Sequence, residues 1–341
     1  MKRKSLYFTA PGCVEIREEE LPPPAGGQLL VETLFSAISP GTELLLYRGL
    51  FPDGLPLDET IPGLPGRCGF PVKYGYSTAG RVIAPGENAP LGWAGRLVFS
   101  FHPHESHFWA DPAELHALPP GVPPEQAVFL PNLETAVNFM MDGRPLVGER
   151  AVVFGQGIVG LLTAALLACH PLERLITLDR HPLRRHFSLM AGADASRDPA
   201  EPGAIGALAE ELKASGREGA DLIYELSGTP AALEQALAVA GFGSRIVIGS
   251  WYGKQTAHLH LGGRFHRSRI RMISSQVSSI GPEWTGRWTK ARRLETAWSL
   301  LGKIDPGRFV THRFPFDRAG EAYAALDQDP GRCVQVILTY G

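Results

Sequence analysis

The stretch that most constrains the fold is Ala151–Asp179, AVVFGQGIVGLLTAALLACHPLERLITLD. A short apolar run, Ala151–Phe154, enters the turn Gly155-Gln156-Gly157-Ile158-Val159-Gly160. A strongly apolar, helix-favouring segment follows to about Cys169, Pro171 breaks it, and a second β-branched run, Leu175–Leu178, ends in Asp179. The pattern is strand, glycine turn, helix, strand, with a carboxylate at the tip of the second strand. A unit of this kind needs a parallel sheet around it.

Each part of that unit suits a dinucleotide. Gly155 permits the tight turn, Gly157 lets the backbone approach a pyrophosphate, and Gly160 lets the helix pack close to the sheet. The free N–H groups and the positive end of the helix, at Ile158 and Val159, face the phosphates. Asp179 lies 19 positions after Gly160, where it can accept hydrogen bonds from the adenosine ribose. A carboxylate there repels the 2′-phosphate of NADP and favours NAD. Arg180 and Arg184 stand beside it, either as a solvated helix start or as partners for such a phosphate, so the NADP alternative stays open.

With 341 residues the chain is comfortable for two domains. Its 44% hydrophobic and 20% charged residues can bury a large core. A formal net charge of −2 gives no general electrostatic reason to bind nucleic acid or an anionic membrane. The basic start Met1-Lys2-Arg3-Lys4 is not followed by an apolar block, and no stretch reaches the length of a membrane span. Cys13, Cys68, Cys169 and Cys333 are scattered, with no CxxC, so neither a zinc lobe nor a disulfide framework is indicated and a cytoplasmic setting is expected.

Residues 1–120 are β-rich. Strands are predicted at Ser5–Thr9, Val14–Glu18, Gln28–Ile38, Val82–Ala84, Arg96–Phe101 and His107–Ala110. A Gly/Pro-rich loop from Gly49 to Pro71 is long enough to cover a site or an interface. The proline-rich segment Ala117–Pro124 marks a change of composition, after which a helical pattern runs to about Met141 with a kink or break forced at Pro131. Beyond the glycine turn, helices at Ile205–Ser215 and Ala231–Ala240 alternate with strands at Asp221–Leu226, Arg245–Ser250 and Arg271–Ser275. This alternation predicts an α/β class with a doubly wound parallel sheet. Trp284, Arg287, Trp288 and the Arg292-Arg293 pair mark a connector, read as packing of aromatic rings against long basic stems. A helix at Lys290–Leu301 and a strand–helix–strand tail over Val310–Tyr340 complete the chain.

This order of parts resembles the medium-chain dehydrogenase/reductase superfamily. The resemblance is carried by Ser39-Pro-Gly-Thr-Glu-Leu-Leu-Leu-Tyr-Arg-Gly49, Gly75-Tyr-Ser-Thr-Ala-Gly80, the GQGIVG turn, Asp221-Leu-Ile-Tyr-Glu-Leu-Ser-Gly228 and Gly331-Arg-Cys-Val-Gln-Val-Ile-Leu338. It implies a GroES-like β-rich catalytic domain over residues 1–123, completed by 305–341, and a Rossmann domain over 124–304. Hydride transfer between the two, and a homodimer formed through the edge of the Rossmann sheet, are further implications. The SPGTE and GYS segments are most similar to dehydrogenases of the bacteriochlorophyllide hydroxyethyl type.

The departures from the family pattern point to a zinc-lacking branch. Where zinc-dependent members carry a cysteine, a histidine and a Cys or Glu, this chain has Pro40, Tyr76 and a position near Pro131. No metal ligands are therefore assigned, although His102, His104 and His107 lie close enough in sequence for another metal site to be weighed. The resemblance places Thr42 where zinc relatives relay the hydroxyl proton and Tyr76 where the metal's histidine would stand. Each is a candidate proton handler, with a turn threonine and a space-filling tyrosine as the plain alternatives. Glu43 replaces a carboxylate behind the metal and is expected in a structural ion pair. His104 and His107 border the active cleft in the family, and Glu134 could bond substrate hydroxyls. Thr135 aligns with a threonine that packs on the nicotinamide, Ser227 lies in a segment near the cofactor, and Gln335 replaces a basic residue that often touches the pyrophosphate.

The expected function is zinc-independent, NAD-dependent hydride transfer between the nicotinamide and a secondary alcohol or ketone, with a small-molecule substrate as partner. An NADPH-dependent quinone or enone reductase of the same fold, and a non-catalytic NAD-binding redox sensor, remain as alternatives.

Overall fold

The computed structural model describes residues 1–213, 216 and 218–341. The predicted end of the helix at 205–215, residues 214 and 215, lies outside them. The chain divides into two compact units, residues 1–131 with 301–341, and residues 132–300.

The first unit is built on antiparallel pairing. Strands β1 (Lys2–Ala10) and β2 (Cys13–Glu20) form a hairpin across the Pro11-Gly12 turn, where Gly12 takes a φ of +77°. β3 (Leu29–Ala37) leads into an eight-residue helix, α1 (Pro40–Tyr47). After the long loop, β4 (Val72–Lys73) joins β1, and β5 (Thr78–Pro85), β6 (Leu97–Ser100), β7 (His107–Ala110) and β8 (His116–Ala117) pair on and around β3. The loop is itself part of the core: Phe51, Leu57 and Leu64 are buried with Leu6, Phe8 and Tyr74. Each such side chain contributes on the order of 1.5–3 kcal/mol by leaving water.

One buried ion cluster ties β1 to the segment after β6. Glu105 is nearly fully buried and accepts from Lys73 Nζ at 2.6 Å, Arg3 Nη1 at 3.0 Å, His102 Nε2 at 2.9 Å and Ser5 Oγ at 3.0 Å. Burial alone would raise its carboxyl, but the hydrogen bond and charge of His102, with the charges of Lys73 and Arg3, outweigh that and hold it at about 2, below the ordinary 4.5. A depressed carboxylate stabilises the fold fully above its unfolded value. That contribution is therefore lost as the pH falls from about 4.5 towards about 2. Glu105→Gln is expected to cost roughly 2–4 kcal/mol at pH 7, because it strands buried cations. Denaturant melts at pH 7 and pH 3 should show the variant's deficit shrinking in acid.

The second unit follows from apolar strands that alternate with helices. The helical pattern read with a kink or break at Pro131 is two helices, α2 (Pro124–Ala127) and α3 (Leu130–Gly143). The break falls at Val128–Phe129, and Pro131 sits in the first turn of α3, where its missing N–H is not needed. Then come β9 (Arg150–Phe154), α4 (Ile158–Ala168), β10 (Arg174–Leu178), α5 (Pro182–Met190), β11 (Ala195–Arg197), α6 (Ala204–Lys213), β12 (Ala220–Glu225), α7 (Ala231–Val239), β13 (Ala240–Ile248), β14 (Arg271–Ser274) and α8 (Lys290–Ile304). The strands are parallel in the order β11-β10-β9-β12-β13-β14. Every residue of β9 is buried. Val152 and Phe154 point into one apolar layer, Ala151 and Val153 into the other, as a period of two requires of a sheet covered on both faces.

The tail returns to the first unit. β15 (Val310–Pro315), α9 (Ala319–Gln328) and β16 (Gln335–Thr339) follow, and β16 lies between β15, to which it is parallel, and β3, to which it is antiparallel. Among the described residues no helix is long and apolar enough to cross a membrane.

Candidate active site

On the second unit the chain runs outward from β9 through β10 to β11, then crosses back to β12 on the other side of β9. Ligands of open parallel sheets bind at the carboxyl ends of the strands beside such a reversal. The glycine turn is there. Gly155 has a φ of +86°, and a Cβ on it would meet the backbone of Leu226 and Ser227. A Cβ on Gly160 would run into the carbonyl of Gly155. Gly157 is different: a Cβ on it meets nothing within 4 Å. Internal packing therefore does not require a glycine there.

Gly157 is also the N-cap of α4 and supplies no side-chain cap, so the first N–H groups of the helix, from the buried Ile158 and the half-buried Val159 onward, are left to an anion. At the end of β10 the Asp179 carboxylate is mostly buried and already organises the turn. It accepts from Gln156 N at 2.8 Å through Oδ2 and from His181 N at 2.8 Å through Oδ1. Arg184 Nη1 lies 3.8 Å from Oδ2, while Arg180 is exposed. Across the reversal, Glu225 ends β12 fully buried and accepts from Ser227 N at 2.8 Å, from Ser227 Oγ at 2.5 Å and from the Tyr252 phenol. These residues fit a dinucleotide: an uncapped helix tip, an open glycine and a carboxylate for the ribose.

Thr135 is half-buried on α3. The neighbouring Glu134 is held by Arg293, whose Nε lies 3.0 Å from its Oε1. Burial raises the Glu134 carboxyl, against the charge and hydrogen bond of Arg293.

On the first unit, α1 opens at Ser39, an N-cap whose hydroxyl does not cap the helix. It accepts instead from the Tyr76 phenol at 2.5 Å, and the same phenol lies 3.2 Å from Thr42 Oγ1. Burial pushes the Tyr76 hydroxyl up to about 12, opposed by its bonds to Ser39 and Thr42. Thr42 and Tyr76, two candidates 34 residues apart, thus meet in one hydroxyl cluster.

Behind it runs a second network. Glu43 is fully buried and accepts from Ser39 N at 2.7 Å and from the Tyr323 phenol, and its Oε2 lies 3.0 Å from His104 Nε2. His104 Nδ1 pairs with Ser36 Oγ at 2.7 Å, and Ser36 with the Tyr340 phenol at 2.9 Å. His104 therefore sits within the core, bonded on both ring nitrogens. His107 is not in this network; its Nδ1 pairs with Ser106 Oγ at 3.1 Å, and burial lowers its pKa. The Gln335 amide is turned inward and donates to the Ile38 carbonyl at 2.9 Å, so its side chain is committed within the first unit rather than offered to a phosphate.

The three histidines of the HPHESH segment go separate ways, His102 to Glu105, His104 to Glu43 and His107 to Ser106. Among the described residues no three or more His, Cys, Asp or Glu side chains are grouped to hold a metal ion. The side chains that bond Tyr76 are the hydroxyls of Ser39 and Thr42, a donor set that does not fit a tetrahedral zinc.

Residues 159–294 match the family described as zinc-binding dehydrogenase. D-Guloside 3-dehydrogenase of Escherichia coli K12 is 25% identical, over 99% of this chain and 100% of that protein. The 2-desacetyl-2-hydroxyethyl bacteriochlorophyllide A dehydrogenase of Rhodobacter capsulatus is 24% identical, over 100% and 99%. An alcohol dehydrogenase of E. coli CFT073, solved with NADH, superposes with a TM-score of 0.80 at 20% identity, covering 99% of both chains. These similarities support the likeness to the medium-chain dehydrogenase/reductase superfamily.

Like those dehydrogenases, it carries a GroES-like unit and a Rossmann unit. Sequence reasoning missed Ser39, although it lies inside the quoted SPGTE motif, because a serine before a helix ordinarily caps it. Tyr323 and Tyr340 carried no local signal. Arg293, read as a connector residue, is fully buried, whereas Trp284 and Trp288 do pack against basic stems, with Arg144 Cζ 4.7 Å from the Trp284 ring centre and Arg292 Cζ 4.3 Å from that of Trp288.

Proposed function

We propose that the protein is a zinc-independent, NAD-linked dehydrogenase that interconverts a secondary alcohol and its ketone. The observation that carries this is the Tyr76–Ser39–Thr42 hydroxyl cluster, which gathers residues that the family resemblance aligns with the metal site of zinc relatives. The second unit would hold the cofactor through Gly155, Gly157, Ile158, Val159 and Gly160 at the pyrophosphate and Asp179 at the ribose, with Thr135 and Ser227 on the nicotinamide side. A bound nicotinamide supplies or accepts the hydride. Tyr76, with a hydroxyl at about 12, stays protonated at neutral pH and donates to the ketone oxygen as hydride reaches the carbon. Its proton is replaced through Thr42 and Ser39, and the reverse path removes the proton of the alcohol. His104 and Glu43 act behind this cluster by fixing α1, and Glu134 braces α3 rather than moving protons.

The Asp179 carboxylate supports NAD over NADP, since both of its oxygens are held in place by backbone N–H groups and a 2′-phosphate would meet fixed negative charge. The arginines beside it are the feature that would favour NADP. Four scattered cysteines with no CxxC pair support a reducing, cytoplasmic setting, and the superfamily supports a homodimer. The test uses enzyme dialysed against EDTA and assayed on a panel of secondary alcohols. Turnover with NAD is expected to be undiminished, and NADH to bind at least ~10-fold more tightly than NADPH. Activity lost to the chelator and restored by zinc would overturn the metal-free chemistry, and tighter NADPH binding would overturn the cofactor assignment.

A further inference from the structure

Arg293 is the bulkiest fully buried side chain of the protein, and a buried guanidinium is costly unless its donors are well spent. Here they are spent on joining two elements of the second unit. Towards α3, Nε reaches Glu134 Oε1 at 3.0 Å and Nη1 reaches Asn138 Oδ1 at 2.5 Å. Towards the segment after β14, Nη1 donates to the Ser279 carbonyl at 3.0 Å and Nη2 to the Val277 carbonyl. Asn138 Nδ2 extends the link to Ser275 Oγ at 2.9 Å, and the Ser275 N–H donates to the Ile248 carbonyl at 3.0 Å, at the end of β13. An irregular segment at the carboxyl edge of the parallel sheet is thus fixed at residues 277 and 279 by the Arg293 side chain, and at 275 by the Asn138 side chain together with the backbone of β13.

Its place in the sheet gives that fixation a direction. The pyrophosphate turn lies at the end of β9, and Asp179, on the ribose, is one strand to one side on β10. The other half of a dinucleotide must extend to the opposite side, over the ends of β12, β13 and β14. We propose that Arg293 is a positioning residue for the nicotinamide half of the cofactor, setting the segment 275–279 against which that half is placed. This rests on the cofactor reading given above, and it assigns Arg293 no contact with the cofactor.

ADP-ribose, which lacks the nicotinamide, separates this role from plain structural support. Calorimetric titration of Arg293→Lys is expected to show NADH affinity reduced at least ~10-fold and ADP-ribose affinity unchanged within about 2-fold, with KM for NAD raised. Ser275→Ala, a milder change that keeps the guanidinium, is expected to lower NADH affinity about 3-fold and leave ADP-ribose alone. It carries the test should the lysine variant not fold. Parallel losses of both ligands, or no loss of either, would overturn the positioning role. Wild-type protein that binds neither ligand would overturn the cofactor reading and this inference with it.

Discussion

Tyr76→Phe lowers kcat for ketone reduction at least ~10²-fold while the protein still folds and binds NADH as before. The phenol is the one group of the hydroxyl cluster that touches both others, at 2.5 Å from Ser39 Oγ and 3.2 Å from Thr42 Oγ1. Removing it deletes the proposed proton donor and leaves the two remaining hydroxyls to pair with each other or with water. Because the ring is retained, packing against Tyr74, 6.2 Å away edge to face, is kept, and the stability cost is about one hydrogen bond, ~1 kcal/mol. The loss therefore falls on kcat rather than on KM for the cofactor. Thr42→Ala acts in the same direction, since it cuts the relay behind the phenol. Steady-state kinetics that find both variants at the wild-type rate would remove proton handling from this cluster.

Gly160→Ala abolishes cofactor binding, with NADH affinity reduced at least ~10²-fold, and lowers the melting temperature by roughly 5 °C. The added methyl would fall against the carbonyl of Gly155, with its carbon 2.9 Å away, so either the turn or the start of α4 must move. Both carry the free N–H groups on which the pyrophosphate is expected to dock. Gly157→Ala makes the informative contrast. Its methyl would meet nothing in the protein, so the melting temperature should hold while NADH affinity falls, because only an approaching ligand occupies that space. Thermal shift with and without NADH reads both quantities. A Gly157→Ala protein that binds NADH normally would show that the turn is not where the diphosphate lies.

What the sequence made legible is what is local in the chain. The strand, turn and helix around Gly155–Gly160 are contiguous, so their chemistry is written in adjacent letters, and the parallel sheet follows from the alternation after it. The helix α1 was not legible because it opens on Pro40, which marks a turn as readily as a first helical residue, and α5, which opens on Pro182, was legible only as a helix start around Arg180 and Arg184. β13 starts at Ala240, five residues before Arg245, because Gly241 and Gly243 hide a strand that backbone pairing supplies. In the candidate site, Thr42 and Tyr76 were found through family resemblance. Tyr323 and Tyr340 were not, since they meet Glu43 and Ser36 across 280 and 304 residues and nothing periodic links such positions. Arg293 shows the same limit from the other side: it was read with its neighbours as connector packing, and only the fold shows four hydrogen-bonding partners, Glu134, Asn138, Val277 and Ser279, waiting inside.

The location of β16 has a bearing on biosynthesis. A strand formed by residues 335–339 fills the slot between β15 and β3. Until those residues leave the ribosome, the sheet begun by the amino-terminal third has an open seam. The nucleotide-binding unit, whose segment is continuous, has all its strands in hand some sixty residues sooner. During translation the order of folding is then the reverse of the order in which the two halves begin, and nascent chains stalled once residue 304 has left the ribosome, but before residue 335 has, should already capture dinucleotide while still lacking any competence to turn it over.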